Sequence, residues 1–238
     1  MKRLLTLLAI VASTIALHAD DAPVNELGAE EKAAGWKLLF DGEDAAPWWR
    51  GYKKDGLPAG WKVEDGALVR RGAGSGGDII TRDEFESFEF SIDWKISPGG
   101  NSGVMIKVKE TGKESWNTGP EVQILDNVLG RDAQKTGWLY GLYPAEIDAT
   151  KPAGKWNNLI IRCQKTPAGT YECEHWLNGV KYVEYIIGSD DWHARVAKSK
   201  FADKPNFAKA DAGHICLQDH DNEVAFRNIK IRILPTKE

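Results

Sequence analysis

Glu121 and Gln123, a carboxylate and a carboxamide two residues apart, are the pair in this chain best placed to do chemistry. They lie in Gly119-Pro-Glu-Val-Gln-Ile-Leu-Asp-Asn127. That stretch alternates polar with apolar residues and closes on a turn pair, the pattern of a half-buried strand. Alternation sends Glu121 and Gln123 to one face, about 7 Å apart, and Val122 and Ile124 to the other. Sugar-processing β-sandwiches line a concave sheet face in this way. A polar strand face turned to solvent accounts for the pair equally well.

The same parity selects further residues. Phe88, Phe90, Ile92, Trp94 and Ile96 leave Asp93 on the polar side of their strand. Val104 and Ile106 oppose Lys107, while Ile215 and Leu217 oppose Gln218 and His220. If these strands are neighbours in one sheet, a single face carries two carboxylates, a lysine, an imidazole and two amides, which together suggest a lined cleft. Taken singly they are ordinary: Asp93 and Lys107 as solvent-facing charges, His220 as a satisfied histidine. Asp190 to Gly213 shows no alternation and reads as a long irregular loop. Its Ser199-Lys200-Phe201 is expected to fold over the cleft rim with Lys200 pointing inward.

Direct glycoside hydrolysis wants two carboxylates at a fixed separation, and Gln123 cannot act as acid, base or nucleophile. Removing a proton beside a carbonyl needs one base and a group that holds the enolate oxygen. His220, with an ordinary pKa of about 6.5, suits the base. Glu121 suits a second acid/base or a metal ligand, and Lys107 or a metal the enolate oxygen. A divalent metal ion held by Glu121, His220 and nearby carboxylates is the one cofactor expectation. No Gly-x-Ser-x-Gly elbow or His-Glu-x-x-His pair occurs. The glycine-rich Gly72–Gly77 lacks the Lys-Ser/Thr of a phosphate loop.

The elements that must position these residues are strands. Trp36–Phe40, a hairpin over Trp61–Val69 around Asp65-Gly66, Phe88–Ile96, Trp156–Cys163, Tyr171–Leu177, Lys181–Ile186, His214–Gln218 and Val224–Ile233 follow one another at short spacing. Asn178-Gly179 is a further hairpin turn. Helix is scarce, with a short one expected at Gly28–Ala34. The pattern predicts an all-β fold, a two-sheet antiparallel jelly-roll sandwich. Ten Trp and 24 Gly suit that architecture.

Met1-Lys-Arg3, the apolar run Leu4–Leu17 and Ala19 read as a secretory signal peptide, too short for a membrane span. Residues 20–34 form a lead-in, and 35–235 a single domain. Lys plus Arg number 31 against 35 Asp plus Glu, a balance without the basic stripe that nucleic acid requires. Of the three cysteines, Cys163 and Cys173 flank the turn Thr166–Gly169 and can face each other across a hairpin. A disulfide and three buried thiols both remain open.

A succession of motifs then runs in order: Gly35-Trp-Lys-Leu-Leu-Phe-Asp-Gly42, Asn101-Ser-Gly-Val104, Glu121-Val-Gln-Ile-Leu-Asp126, Tyr140-Gly141, Gly154-Lys-Trp-Asn157, His175-Trp-Leu-Asn-Gly179, Ser199-Lys-Phe201, Gly213-His-Ile-Cys-Leu-Gln-Asp-His220 and Phe226-Arg-Asn-Ile229. It resembles the 3-keto-disaccharide hydrolase family from Gly35 to Leu234. The resemblance implies a concanavalin-like jelly roll, an exported location and action on glycosides already oxidised at C3. The site assignments rest on strand parity and not on the resemblance: Tyr140, Gln123, Gln218, Asp93 and Lys200 are the candidate sugar-binding residues beside Glu121, His220 and Lys107. A lectin-like binding module on the same fold, or a direct glycosidase, is the competing expectation.

Overall fold

The computed structural model describes residues 23–72 and 74–238. The signal peptide expected at Met1–Ala19 lies outside the described residues. Among the described residues two short helices, α1 (Ala29–Ala33) and α2 (Asp190–Ala197), accompany thirteen strands. These are β1 (Lys37–Leu38), β2 (Trp49–Gly51), β3 (Trp61–Glu64), β4 (Ala67–Arg70), β5 (Ile79–Thr81), β6 (Phe88–Ile96), β7 (Asn101–Val108), β8 (Glu121–Leu125), β9 (Asn157–Lys165), β10 (Tyr171–Leu177), β11 (Val180–Ile187), β12 (His214–Leu217) and β13 (Val224–Ile233).

They form two antiparallel sheets. The larger runs β11-β10-β9-β6-β13-β4-β3 with β1 also on β13, and the smaller runs β2-β5-β12-β7-β8. Alternation decides what lies between them. Phe88, Phe90, Ile92, Trp94, Leu159 and Ile161 of the large sheet meet Ile79, Val104, Ile106, Val122, Ile124, Ile215 and Leu217 of the small one in one buried core. Burial of that apolar surface is what holds the sheets face to face. The turns behave as their residues require: Asp65-Gly66 and Asn178-Gly179 both take positive φ, as a two-residue hairpin needs.

Two expectations need correction. Asp190–Gly213 is not wholly irregular, since α2 occupies its first turns. Ser189 caps that helix by accepting from Trp192 N at 3.2 Å, and Asp190 and Asp191 sit in its first turn. β1 spans two residues where Trp36–Phe40 promised five, because the chain leaves the sheet after pairing Lys37 and Leu38 with β13. Cys163 and Cys173 are direct cross-strand partners on β9 and β10. Both are buried free thiols, with Sγ atoms 3.0 Å apart.

Candidate active site

The site lies on the outer face of the small sheet, the one turned away from the core. Register sets residues there in two rows. Ile80, Cys216, Met105 and Glu121 stand side by side across β5, β12, β7 and β8. One step along, the same register carries Gln218 opposite Gly103 and Gly103 opposite Gln123; Gln218 N donates to Gly103 O at 2.9 Å. On the far side, continuing the β5–β12 pairing brings Asp78 beside Gln218.

The first row is greasy apart from its last member. Ile80, Met105 and Cys216, with Val108, form a fully buried cluster covered by Tyr52 and Trp116. The segment bearing Trp116 is fastened across them by Tyr52, whose hydroxyl donates to Gly112 O at 2.9 Å. Glu121 thus lies at the edge of an apolar floor, 6% exposed. Burial pushes its pKa up to about 8. The Lys200 ammonium opposes that rise, Asp78 and Asp132 add to it, and a hydrogen bond from Gln218 works against it.

The carboxyl leans from its own row into the next, over Gly103. A Cβ at that glycine would stand 2.4 Å from Glu121 Oε1, so only glycine leaves the space. With its amide nitrogen set among acceptors, Gln123 donates to Glu121 Oε1 at 3.3 Å and to Ser102 O at 3.2 Å. Gln218 Oε1 is buried with no hydrogen-bond partner among the described residues, an acceptor free for a ligand hydroxyl.

Loops close the β8 side. Tyr140 N donates to Glu121 O at 2.9 Å and Gln123 N to Trp138 O at 3.0 Å, which extends the sheet by one irregular segment. The Tyr140 hydroxyl donates to Asp132 Oδ2 at 3.0 Å; burial and that carboxylate push its pKa up to about 12. The Lys200 Nζ lies 4.0 Å over the Tyr140 ring and 5.4 Å from the Trp116 ring. Desolvation lowers the pKa of that ammonium, while Glu121 and Asp132 act to raise it. Glu121, Gln123, Tyr140, Lys200 and Gln218 are therefore brought together.

Asp93, Lys107 and His220 are not part of that grouping. Asp93 does face outward, but from β6 of the large sheet, on the opposite side of the sandwich. There it accepts from Asn158 Nδ2 at 2.9 Å and Asn228 Nδ2 at 2.7 Å. Lys107 is turned by a bulge: Ile106 and Lys107 together oppose Ile215, and Lys107 takes φ 56°. Its side chain goes inward, donating to Asp211 O at 2.8 Å and lying 3.2 Å over the Tyr171 ring. His220 stands exposed at the turn after β12, and no hydrogen bond or ion pair among the described residues joins it to Glu121. Nor do three or more His, Cys, Asp or Glu side chains converge as a metal-ligating group among the described residues.

Three residues of the site escaped the sequence. Asp78 shares a parity with Ile80 against the core-facing Ile79, but it follows glycines that break the strand pattern. Gly103 stood only within the motif Asn101-Ser-Gly-Val104, with no side chain to suggest a role, and Trp116 sits in an isolated 3-10 turn, Ser115–Asn117. Only the Asp78-Ile-Ile alternation carried a usable signal.

A buried acid set among two amides, a cation and aromatic rings on an outer sheet face is the equipment of a carbohydrate-active β-sandwich. Residues 35–232 match the 3-keto-alpha-glucoside-1,2-lyase-like domain, and the chain belongs to that family. It is similar to a 3-keto-disaccharide hydrolase of Bacteroides thetaiotaomicron, with 33% identity over 90% of this chain and 83% of the relative. Among solved structures it resembles a protein of Parabacteroides distasonis provisionally designated a glycosyl hydrolase, with TM-score 0.80, 35% identity, and coverage of 90% of this chain and 100% of that one. A second protein of that organism with the same designation gives TM-score 0.63 at 28% identity, covering 84% of this chain and 99% of the other. The chain is a glycoside-processing enzyme.

Proposed function

We propose that the enzyme cleaves glycosides already oxidised to a ketone at C3. It removes the hydrogen at C2, expels the aglycone from C1 and adds water to the resulting enone. The ketone acidifies the C2 hydrogen, so cleavage needs a base, an acid for the departing oxygen and a charge to hold the enolate. One observation carries the proposal: Glu121 is buried against an apolar floor with its pKa near 8, so at neutral pH it holds a proton. A carboxylic acid in that state suits donation to the leaving oxygen and does not suit nucleophilic attack. Lys200, beside it, takes the enolate role first expected of Lys107. Gln123, Gln218 and Tyr140 are placed to bind hydroxyls. The family's description as 1,2-lyase-like and the relative's name agree with this chemistry.

Incubating the protein with a 3-keto-glucoside and with its unoxidised parent is the test. Cleavage of the keto sugar alone supports elimination. Cleavage of the parent would point to direct hydrolysis, and binding without turnover to a lectin-like module. Export is part of the same proposal and rests on the basic start and apolar run of Met1–Ala19; the N-terminal mass of the mature chain checks it.

A further inference from the structure

We propose that Asp78, rather than His220, is the group that takes the C2 proton. The inference rests on the elimination proposed above.

Across the outer face the polar row reads Asp78, Gln218, the Glu121 carboxyl over Gly103, then Gln123. Acid and amide alternate along it. Asp78 on the β5 side and the Glu121 carboxyl over β7 are two strand spacings apart, roughly 10 Å between strand axes. A single sugar ring fits such a gap, with C2 towards one carboxyl and the C1 oxygen towards the other. Gln218 stands between them with its unpartnered Oε1.

Asp78 is held as a base would be. Oδ1 accepts from Asp219 N at 2.9 Å, and Oδ2 accepts from the Ser115 hydroxyl. Each oxygen keeps a lone pair, and the side chain cannot rotate freely. Burial raises its pKa above that of an ordinary aspartate; the two hydrogen bonds hold it down, and Asp219 and Glu114 add to the rise. The result is a carboxylate more basic than one in water, facing an acid that keeps its proton. His220 is exposed, and no hydrogen bond anchors it among the described residues.

The steps balance. The Asp78 carboxylate takes the C2 proton, and the electron pair passes to the C3 oxygen as an enolate held by Lys200. The C1–O bond then breaks, and Glu121 gives its proton to the departing oxygen. Water adds to C1 of the enone, returning a proton to Glu121, and Asp78 returns its proton to C2.

The test follows the C2 hydrogen in deuterated water with a 3-keto-glucoside. Wild type should cleave the substrate. Asp78→Asn, nearly isosteric, should lose 100-fold or more in kcat with KM changed less than about threefold. Glu121→Gln, unable to protonate the leaving group, should exchange the C2 hydrogen without cleaving, and adding Asp78→Asn should abolish that exchange. Asp78→Glu, which keeps a base on a longer arm, should recover part of the exchange; this guards against reading a folding defect as chemistry. Exchange that persists at the Glu121→Gln rate in the double variant overturns the proposal while leaving elimination intact. So does loss of exchange in Glu121→Gln/His220→Ala with retention in Glu121→Gln/Asp78→Asn, which hands the role to His220. A wild type that ignores the keto sugar or cleaves the unoxidised parent removes both proposals together.

Discussion

Two residues on neighbouring strands set the acid proposed for this site, and each makes a separate prediction. Burial against Met105 and the apolar floor disfavours the charge of Glu121 and pushes its pKa up to about 8. Turnover should therefore fall as pH rises through about 8, and a kcat profile checks this limb. The same shift is a statement about stability. The folded chain binds this proton more tightly than the unfolded chain does. The stabilisation is full below the ordinary value of 4.5 and is lost as pH rises through about 8. Glu121→Gln cannot ionise and should escape that loss. Urea denaturation at pH 5 and pH 9 should show the parent losing more than the variant, with a difference on the order of a few kcal/mol. Gly103 is the other half of the arrangement. Gly103→Ala would put a methyl 2.4 Å from Glu121 Oε1, so the carboxyl must move. Since an ångström of misplacement costs up to ~100-fold in rate, kcat should drop at least 10-fold. A wild-type rate in Gly103→Ala would mean that the carboxyl has no fixed post over β7.

At the scale of the element, strand parity located the carboxyl and the two amides of this site and missed the rest for identifiable reasons. It placed Glu121, Gln123 and Gln218 on one face, because regular strands make the side-chain period two without reference to anything distant. Asp93 obeyed the same rule and still landed elsewhere. Parity says which side of its own strand a residue takes and nothing about which sheet the strand joins. Lys107 failed through a local event, the extra residue that sets Ile106 and Lys107 against Ile215. A bulge restores alternation afterwards, so Val108 is back beside Met105 on the outer face, and the sequence shows no trace of the slip. α2 was hidden because Trp192 alone of its eight residues is buried, which leaves no apolar stripe of helical period to read. The bulge has a consequence for stability. Lys107 Nζ satisfies the carbonyls of Ala210 and Asp211, and burial lowers its pKa. Lys107→Met should leave the Ala210 oxygen unpaired, and Asp211 O with the Tyr171 hydroxyl at 3.3 Å, at a cost of about 1–3 kcal/mol, and hardly alter kcat/KM. A large fall in kcat/KM with unchanged Tm would return Lys107 to the chemistry.

On the scale of the whole molecule, the two sheets are joined by more than their apolar faces. Arg70 at the end of β4 in the large sheet is fully buried, and its Nε lies 2.8 Å from Oδ2 of Asp219, just past β12 of the small sheet. Glycines of the stretch that lacks a phosphate loop's Lys-Ser/Thr pack around this pair: Arg70 donates to Arg71 O at 2.7 Å and Gly74 O at 3.3 Å, and Gly77 N donates to Asp219 Oδ2 at 2.6 Å. A Cβ on Gly76 would stand 1.9 Å from that oxygen, which explains a glycine there better than any ligand does. Burial acts to raise the Asp219 pKa, but the Gly77 amide and Arg70 outweigh it, and the net shift is downward. Its stabilising contribution is therefore present above the ordinary value of 3.8 and is lost as pH falls below it. Removing one partner of a buried pair strands the other charge. Asp219→Ala should cost about 3–5 kcal/mol, or ~6–20 °C in Tm for a chain of this size. Arg70→Met with Asp219→Leu removes both charges and should recover most of that stability. Activity should not recover with it, because the turn carrying Asp219 also presents the backbone N–H that holds Asp78 Oδ1, and without the ion pair that turn loses its anchor. Thermal melts and turnover of a keto sugar, run on the same three proteins, separate the two roles. A double variant that regains Tm and full turnover together would show that the Arg70–Asp219 pair serves the fold alone.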